Sequence, residues 1–135
     1  MNLKDISKTL KVTHYVKNLV VLVPLVFSLN IFNSALCHNA LIAMISFCFV
    51  SSAVYVLNDL IDIEKDKLHP IKSKRPIASG RISKVSAVIL MIILLILSVF
   101  LVRNSLLCVI SVLGYFVLAD HIAIRVELWK NPWPD

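Results

Sequence analysis

Between Lys17 and Asp59 the chain carries no Asp, Glu, Lys or Arg at all. A helix that crosses the hydrocarbon core of a bilayer needs about 20 mainly apolar residues, so this gap holds two crossings joined by a short turn. The most polar cluster within it, Asn33-Ser34-Ala35-Leu36-Cys37-His38-Asn39, is read as that turn. Two further uncharged runs follow, 85–102 and 104–119, parted by Arg103 alone. The expected spans are therefore approximately 18–33, 39–58, 85–102 and 104–120. The last is short for a full crossing unless Asp120 and His121 are buried with it. The expected fold class is all-α, a multi-pass transmembrane helix bundle of about four helices. Composition points the same way: 59% of the residues are hydrophobic and 16% charged, where a soluble domain carries about 25% charged residues. That much apolar surface excludes a disordered chain, and two glycines exclude a glycine-rich phosphate loop.

The bases are distributed as a membrane protein distributes them. Short loops rich in Lys and Arg stay on the cytoplasmic side. Lys4, Lys8, Lys11 and Lys17 precede the first expected crossing, and Lys65, Lys67, Lys72, Lys74, Arg75, Arg81 and Lys84 fill the loop between the second and third. Arg125 and Lys130 follow the fourth, which leaves Arg103 alone on the far side. A chain in the cell membrane with its N-terminus cytoplasmic satisfies the rule. Topology thus accounts for the net charge of +6 without a nucleic-acid partner. The long basic stretch before the first apolar run, and the spans after it, mark a retained helix rather than a signal peptide. Cys37, Cys48 and Cys108 show no metal-site or Cys-x-x-Cys spacing and read as packing residues.

The chemistry gathers where the second crossing ends, in Asn58-Asp59-Leu60-Ile61-Asp62-Ile63-Glu64-Lys65-Asp66. On a continuous helix the i, i+3, i+7 spacing places Asp59, Asp62 and Asp66 within a sector of about 60° on one face. Like charges so placed repel one another, and each is costly beside lipid. A divalent cation removes both penalties. Mg²⁺ prefers one or two carboxylates together with phosphate oxygens, so the three aspartates are candidate ligands and a diphosphate-bearing small molecule is the candidate partner. Asn58 offers an amide to the metal or to a phosphate. Solvated acids just past a helix end are the plain alternative reading. The following segment, His69-Pro70-Ile71-Lys72-Ser73-Lys74-Arg75-Pro76-Ile77-Ala78-Ser79-Gly80-Arg81, is bent by its prolines and glycine and is strongly basic. There Arg75 suits bidentate phosphate binding, while Lys72 acts as a point charge. Lys17 and Asn18 could line the same pocket from the first crossing, and Ser83 or Ser86 could cap the third helix.

These residues carry a resemblance. Asn58-Asp59-x-x-Asp62-x-x-x-Asp66 with Arg75-Pro76-Ile77-Ala78-Ser79-Gly80 resembles the first aspartate-rich motif and the adjoining loop of the UbiA-type intramembrane prenyltransferase superfamily. Tyr15-Val16-Lys17-Asn18-Leu19 and His69-Pro70-x-Lys72-x-x-Arg75-Pro76-Ile77 are similar to segments of its decaprenyl-phosphate phosphoribosyltransferase-like branch, with Tyr15 where Trp is usual. The resemblance implies a Mg²⁺-dependent transferase that moves a 5-phosphoribosyl group from phosphoribosyl diphosphate to a polyprenyl phosphate. It implies Asp59, Asp62 and Asp66 as metal ligands, and Lys17, Asn58, Lys72 and Arg75 as substrate-phosphate contacts. Elsewhere in the superfamily the donor is a prenyl diphosphate and the acceptor often aromatic.

The resemblance runs to about Leu118 and covers the N-terminal part of such a fold, whose members carry about nine helices and a second aspartate-rich motif. Residues 119–135 match nothing expected and read as a divergent tail, either a frameshifted end or an interfacial segment anchored by Trp129 and Trp133. A cavity with one acidic wall lacks the closed, preorganised site on which such catalysis depends. Little activity is therefore expected from the chain without a partner chain that supplies the rest. A non-catalytic membrane fragment that keeps the metal and diphosphate motif is the alternative.

Overall fold

A computed structural model describes residues 3–29 and 31–130, apart from the side chains at 3, 12–14, 17, 106, 120 and 123–130. Among the described residues every regular element is helical. In chain order they are α1 (Leu3–Leu10), a 3-10 helix (Val12–Leu22), α2 (Val23–Phe27), α3 (Ser34–Ile61), α4 (Ile63–Leu68), a 3-10 turn (Lys72–Lys74), α5 (Lys84–Val102) and α6 (Leu106–Lys130). The axis of the assembly is α3, which packs most extensively on α5 and also touches α1, the 3-10 helix and α6.

Each long helix starts where a side chain satisfies its free N–H groups. Asn33 Oδ1 accepts from the backbone N–H of Ala35 at 3.1 Å and of Leu36 at 3.2 Å. The polar cluster expected to form a turn is thus the opening of α3, and the turn lies ahead of Asn33. Ser83 Oγ accepts from Ser86 N at 3.1 Å and caps α5, as one of the two expected candidates. At 28 residues α3 is about 42 Å long, some 12 Å more than the hydrocarbon core is thick, so its polar ends have room to emerge. The first expected span, 18–33, is not one continuous α-helix. It is the end of the 3-10 helix followed by the five-residue α2, whose first turn holds Pro24. Across the boundary expected at residues 118 and 119, α6 continues without a break, and the side chains of most of the tail lie outside the described residues.

Packing between α3 and α5 depends on small residues. Ser46 and Ala53 are buried on α3, and Ala87 and Ser98 are buried on α5. Ser46 and Ser98 share a hydroxyl hydrogen bond of 2.8 Å, and each hydroxyl also reaches the other's backbone carbonyl at 2.9 Å. Close approach through small residues with hydroxyl bonds across the seam is how helices associate in lipid. One apolar cluster (Val56, Ile63, Ile77, Ile82 and Ala87) lies at the acidic end of α3, and a second (Val50, Val102 and Val112) lies toward the other end. The outer face is the reverse of a soluble protein's: Val85, Ile89, Ile92, Ile96 and Phe100 of α5 are exposed. Both α3 and α5 are long and apolar enough to cross a membrane, and Asn18–Phe27 and Leu107–Ala119 are shorter apolar helices. The molecule is a helical membrane bundle.

Candidate functional site

The α-helical path of α3 is interrupted at Asp62, whose backbone (φ −85°, ψ 7°) separates it from α4. Asp59 lies in the last turn before the break and Asp66 in the short helix after it, and both are buried, 3% and 2% exposed. Their carboxylates converge on a single atom. Arg75 Nη1 donates to Asp59 Oδ1 at 3.1 Å and to Asp66 Oδ2 at 2.8 Å. A second cation, Lys11 Nζ, donates to the same Asp59 Oδ1 at 3.2 Å. Two buried acids are thereby neutralised by two bases, and burial of charge is tolerated only on such terms.

The loop that delivers Arg75 is ordered by its own backbone. His69 Nδ1 accepts from the N–H groups of Ile71 and Lys72, at 3.2 and 3.3 Å, and so opens the 3-10 turn. After Arg75 the chain turns tightly, with Ser79 N bonded to Arg75 O at 2.9 Å and Ile82 N to Pro76 O at 3.0 Å. Gly80 supplies the left-handed residue of this turn at φ +76°. Ile77 and Ile82 anchor the loop in the apolar cluster beside Val56. Arg81 then ties it to α1 through Asp5 at 2.7 Å, and closes the loop on itself by donating to Lys74 O at 2.6 Å.

On the opposite side the end of α1 and the 3-10 helix are fixed to α3 by polar groups. Tyr15 Oη and Ser52 Oγ are 2.6 Å apart, Ser52 Oγ donates to Leu10 O at 3.1 Å, and Asn18 Nδ2 donates to Ser51 Oγ at 3.4 Å. Asn18, expected near a phosphate, is thus engaged in helix packing. Beside these bonds lies an open apolar groove of about 410 Å³ whose lining includes Val16, Leu19, Met44 and Phe49.

Of the residues singled out in the sequence, Asp59, Asp66 and Arg75 come together. Asp62 stands half-buried at the helix break, and among the described residues no three acidic, imidazole or thiol side chains lie close enough to share one ion. The three-aspartate face is reduced to a converging pair, because the interruption at Asp62 spoils the single helical phase on which the spacing argument rested. Asn58 is half-buried next to Asp59 and does not join the ion-pair ring. Lys72 is exposed on the 3-10 turn, and the side chain of Lys17 lies outside the described residues. Sequence reasoning missed the roles of Lys11 and of the Arg81–Asp5 tie, since nothing in their spacing separates them from neighbouring bases and acids. All three cysteines are free thiols.

The family model for the UbiA prenyltransferase family matches residues 18–120, most of the chain, including the acidic helix end and its loop. The chain belongs to the UbiA prenyltransferase family. Among curated relatives of this UbiA chain, a decaprenyl-phosphate phosphoribosyltransferase of Corynebacterium glutamicum is 44% identical over 82 residues, covering 58% of this chain and 25% of that protein. The nodulation protein NoeC of Azorhizobium caulinodans is 43% identical over 54 residues, 40% of this chain and 18% of that one. A decaprenyl-phosphate phosphoribosyltransferase of Mycolicibacterium smegmatis is 46% identical over 39 residues, 29% of this chain and 12% of that one. The matches span a quarter or less of these relatives' length. No solved structure gives a significant match to the UbiA chain.

Proposed function

We propose that this UbiA-family chain is part of a Mg²⁺-dependent intramembrane transferase that moves a 5-phosphoribosyl group from phosphoribosyl diphosphate to a polyprenyl phosphate. The observation that carries the reading is the convergence of Asp59 and Asp66 on one cationic nitrogen at the membrane-helix end. A pair of carboxylates disposed around one cation is the donor set Mg²⁺ uses when substrate phosphates complete its shell. Asp59 and Asp66 would hold the ion, and substrate phosphate oxygens, not Asp62 at the helix break, would complete its shell. When bound, the ion would offset charge on the departing diphosphate. The identity to decaprenyl-phosphate phosphoribosyltransferases favours the ribosyl donor over a prenyl one.

The chain's own residues have the following tasks. Arg75, on a loop pinned by Ile77 and Ile82, binds the diphosphate, with Asn58, Lys72 and Lys17 as further phosphate contacts. The apolar groove beside Tyr15 receives the isoprenoid chain and directs its phosphate toward the acidic end. An oxygen of that phosphate attacks the anomeric carbon, a new C–O bond forms, and the bond to the diphosphate oxygen breaks with its electron pair leaving on diphosphate. Such a transfer depends on positioning and charge stabilisation more than on a covalent intermediate. The site faces the cytoplasm of a multi-pass protein in the cell membrane, and a partner chain contributes the rest of the cavity.

The test is transfer of labelled phosphoribosyl from phosphoribosyl diphosphate to polyprenyl phosphate in membranes containing the chain together with a chain that supplies the rest of the cavity, with and without Mg²⁺. Asp59→Asn and Asp66→Asn are each expected to lower transfer at least about a hundredfold, the scale lost when one stabilising group is removed from such a site. Transfer that persists in both variants would overturn the assignment. A prenyl diphosphate offered with an aromatic acceptor forms the competing arm. Metal-dependent diphosphate binding without turnover on either arm, with or without a partner, would leave the non-catalytic reading in place.

A further inference from the structure

Lys11 stands apart from the other N-terminal bases. Its backbone is left-handed (φ 48°, ψ 47°) at the junction of α1 and the 3-10 helix. That conformation disfavours any residue with a Cβ and persists only where the surroundings impose it. The side chain is 23% exposed and lies over the Tyr55 ring, with Nζ 4.7 Å from the ring centroid. Its ammonium then shares Asp59 Oδ1 with the guanidinium of Arg75. Two cations thus crowd one carboxylate oxygen while they repel each other.

Charge bookkeeping gives this arrangement a consequence. Asp59 and Asp66 are balanced by Lys11 and Arg75, two negative charges against two positive. A divalent cation seated between the aspartates supplies the same two positive charges. Both side chains then lose their anionic partners at a largely buried position, where an unpaired charge is costly. The diphosphate that accompanies the metal is the anion at hand. We propose that Lys11 is a further substrate-binding residue, which leaves Asp59 when the divalent cation binds and pairs with a phosphate oxygen of the diphosphate. This rests on the metal–diphosphate reading of Asp59 and Asp66 and adds to it a residue found by geometry alone. Lys11 competes with the metal and assists the diphosphate, so removing its ammonium shifts the two affinities in opposite directions.

The experiment uses the full chain in lipid nanodiscs. Mn²⁺ binding is followed alone by electron paramagnetic resonance, and inorganic diphosphate binding by calorimetry at saturating Mg²⁺. Lys11→Gly is the main variant, because glycine accepts the left-handed backbone without strain while the ammonium is lost. It is expected to bind Mn²⁺ several-fold more tightly and diphosphate about tenfold or more weakly, the loss of one charge-assisted hydrogen bond. Lys11→Met is expected to show the same split, Lys11→Arg to bind both as the unaltered chain does, and Lys8→Met to change neither. If Asp59→Asn abolishes Mn²⁺ binding but Lys11→Gly leaves both affinities unchanged or lowers both together, Lys11 is only structural and the proposal falls while the site stands. If neither ligand binds in an Asp59-dependent way, the site reading and the role of Lys11 fall together.

Discussion

Gly80 is held at φ +76° with open space where a Cβ would be built, so a substitution there meets strain and no clash. Gly80→Ala is expected to cost about 1 kcal/mol in thermal or denaturant unfolding, the price of a Cβ in the left-handed region. Removing a charge from the ring is more damaging. Arg75→Met leaves Asp66 and Asp59 short of a partner while buried, and about 3 kcal/mol of stability should be lost, measured by unfolding in a mild detergent. Glu64 offers a contrast, because its pairing with Lys67 at 3.0 Å is solvent-exposed. The Lys67 hydrogen bond and charge hold the Glu64 carboxyl below its ordinary pKa. Whatever the pair contributes is present at neutral pH and lost as acidification passes through that lowered pKa. Glu64→Gln should leave the melting temperature unchanged, since exposed pairs contribute little. At this scale the gathering of Asp59 and Asp66 was legible because acids on a membrane helix need a cation, but Arg75 was read as a phosphate contact and not as their ion-pair partner. Lys11 was not, since a left-handed backbone and a reach across 48 residues leave no mark in local spacing.

Helix caps and seams decide the elements. Asn33→Ala removes the acceptor for two N–H groups at the start of α3 and should cost about 1 kcal/mol, checked by thermal unfolding. Ser98, fully buried against Ser46, has no space for a larger side chain. Ser98→Leu is expected to force α3 and α5 apart and cost about 1–3 kcal/mol, whereas Ser98→Ala should cost less than 1 kcal/mol. The charge-free gap and the even spread of apolar residues around α5 made the long helices readable in the sequence. Their starts were less so. A run of Asn, Ser, Cys and His looks like a turn, yet one Asn at its head suffices to nucleate a helix through the rest. The long 3-10 helix was hidden as well. Residue types over a stretch as short as Val12–Leu22 do not distinguish 3.0 from 3.6 residues per turn.

At the scale of the whole molecule, α3 and α5 run antiparallel, since Val56 meets Ala87 near the acidic end while Ser46 meets Ser98 farther along. Asn104, in the exposed turn after α5, therefore lies at the opposite end of the bundle from Lys72. With the native thiols removed, Lys72→Cys and Asn104→Cys are expected to react with an impermeant maleimide from opposite faces of a sealed vesicle, Lys72→Cys from the cytoplasmic one. Labelling of both from one face would contradict the crossing topology. The tie between Arg81 and Asp5 also sets a schedule for the chain's birth. Helix α1 leaves the ribosome before α3, but the arginine that clamps it is synthesised only after α3 has been made, and at about 5–20 residues per second that interval lasts seconds. Until then α1 can rest on α3 through contacts such as that of Ser52 with Leu10 but lacks its ion pair, so its final seat records the completion of the basic loop and not the order of translation.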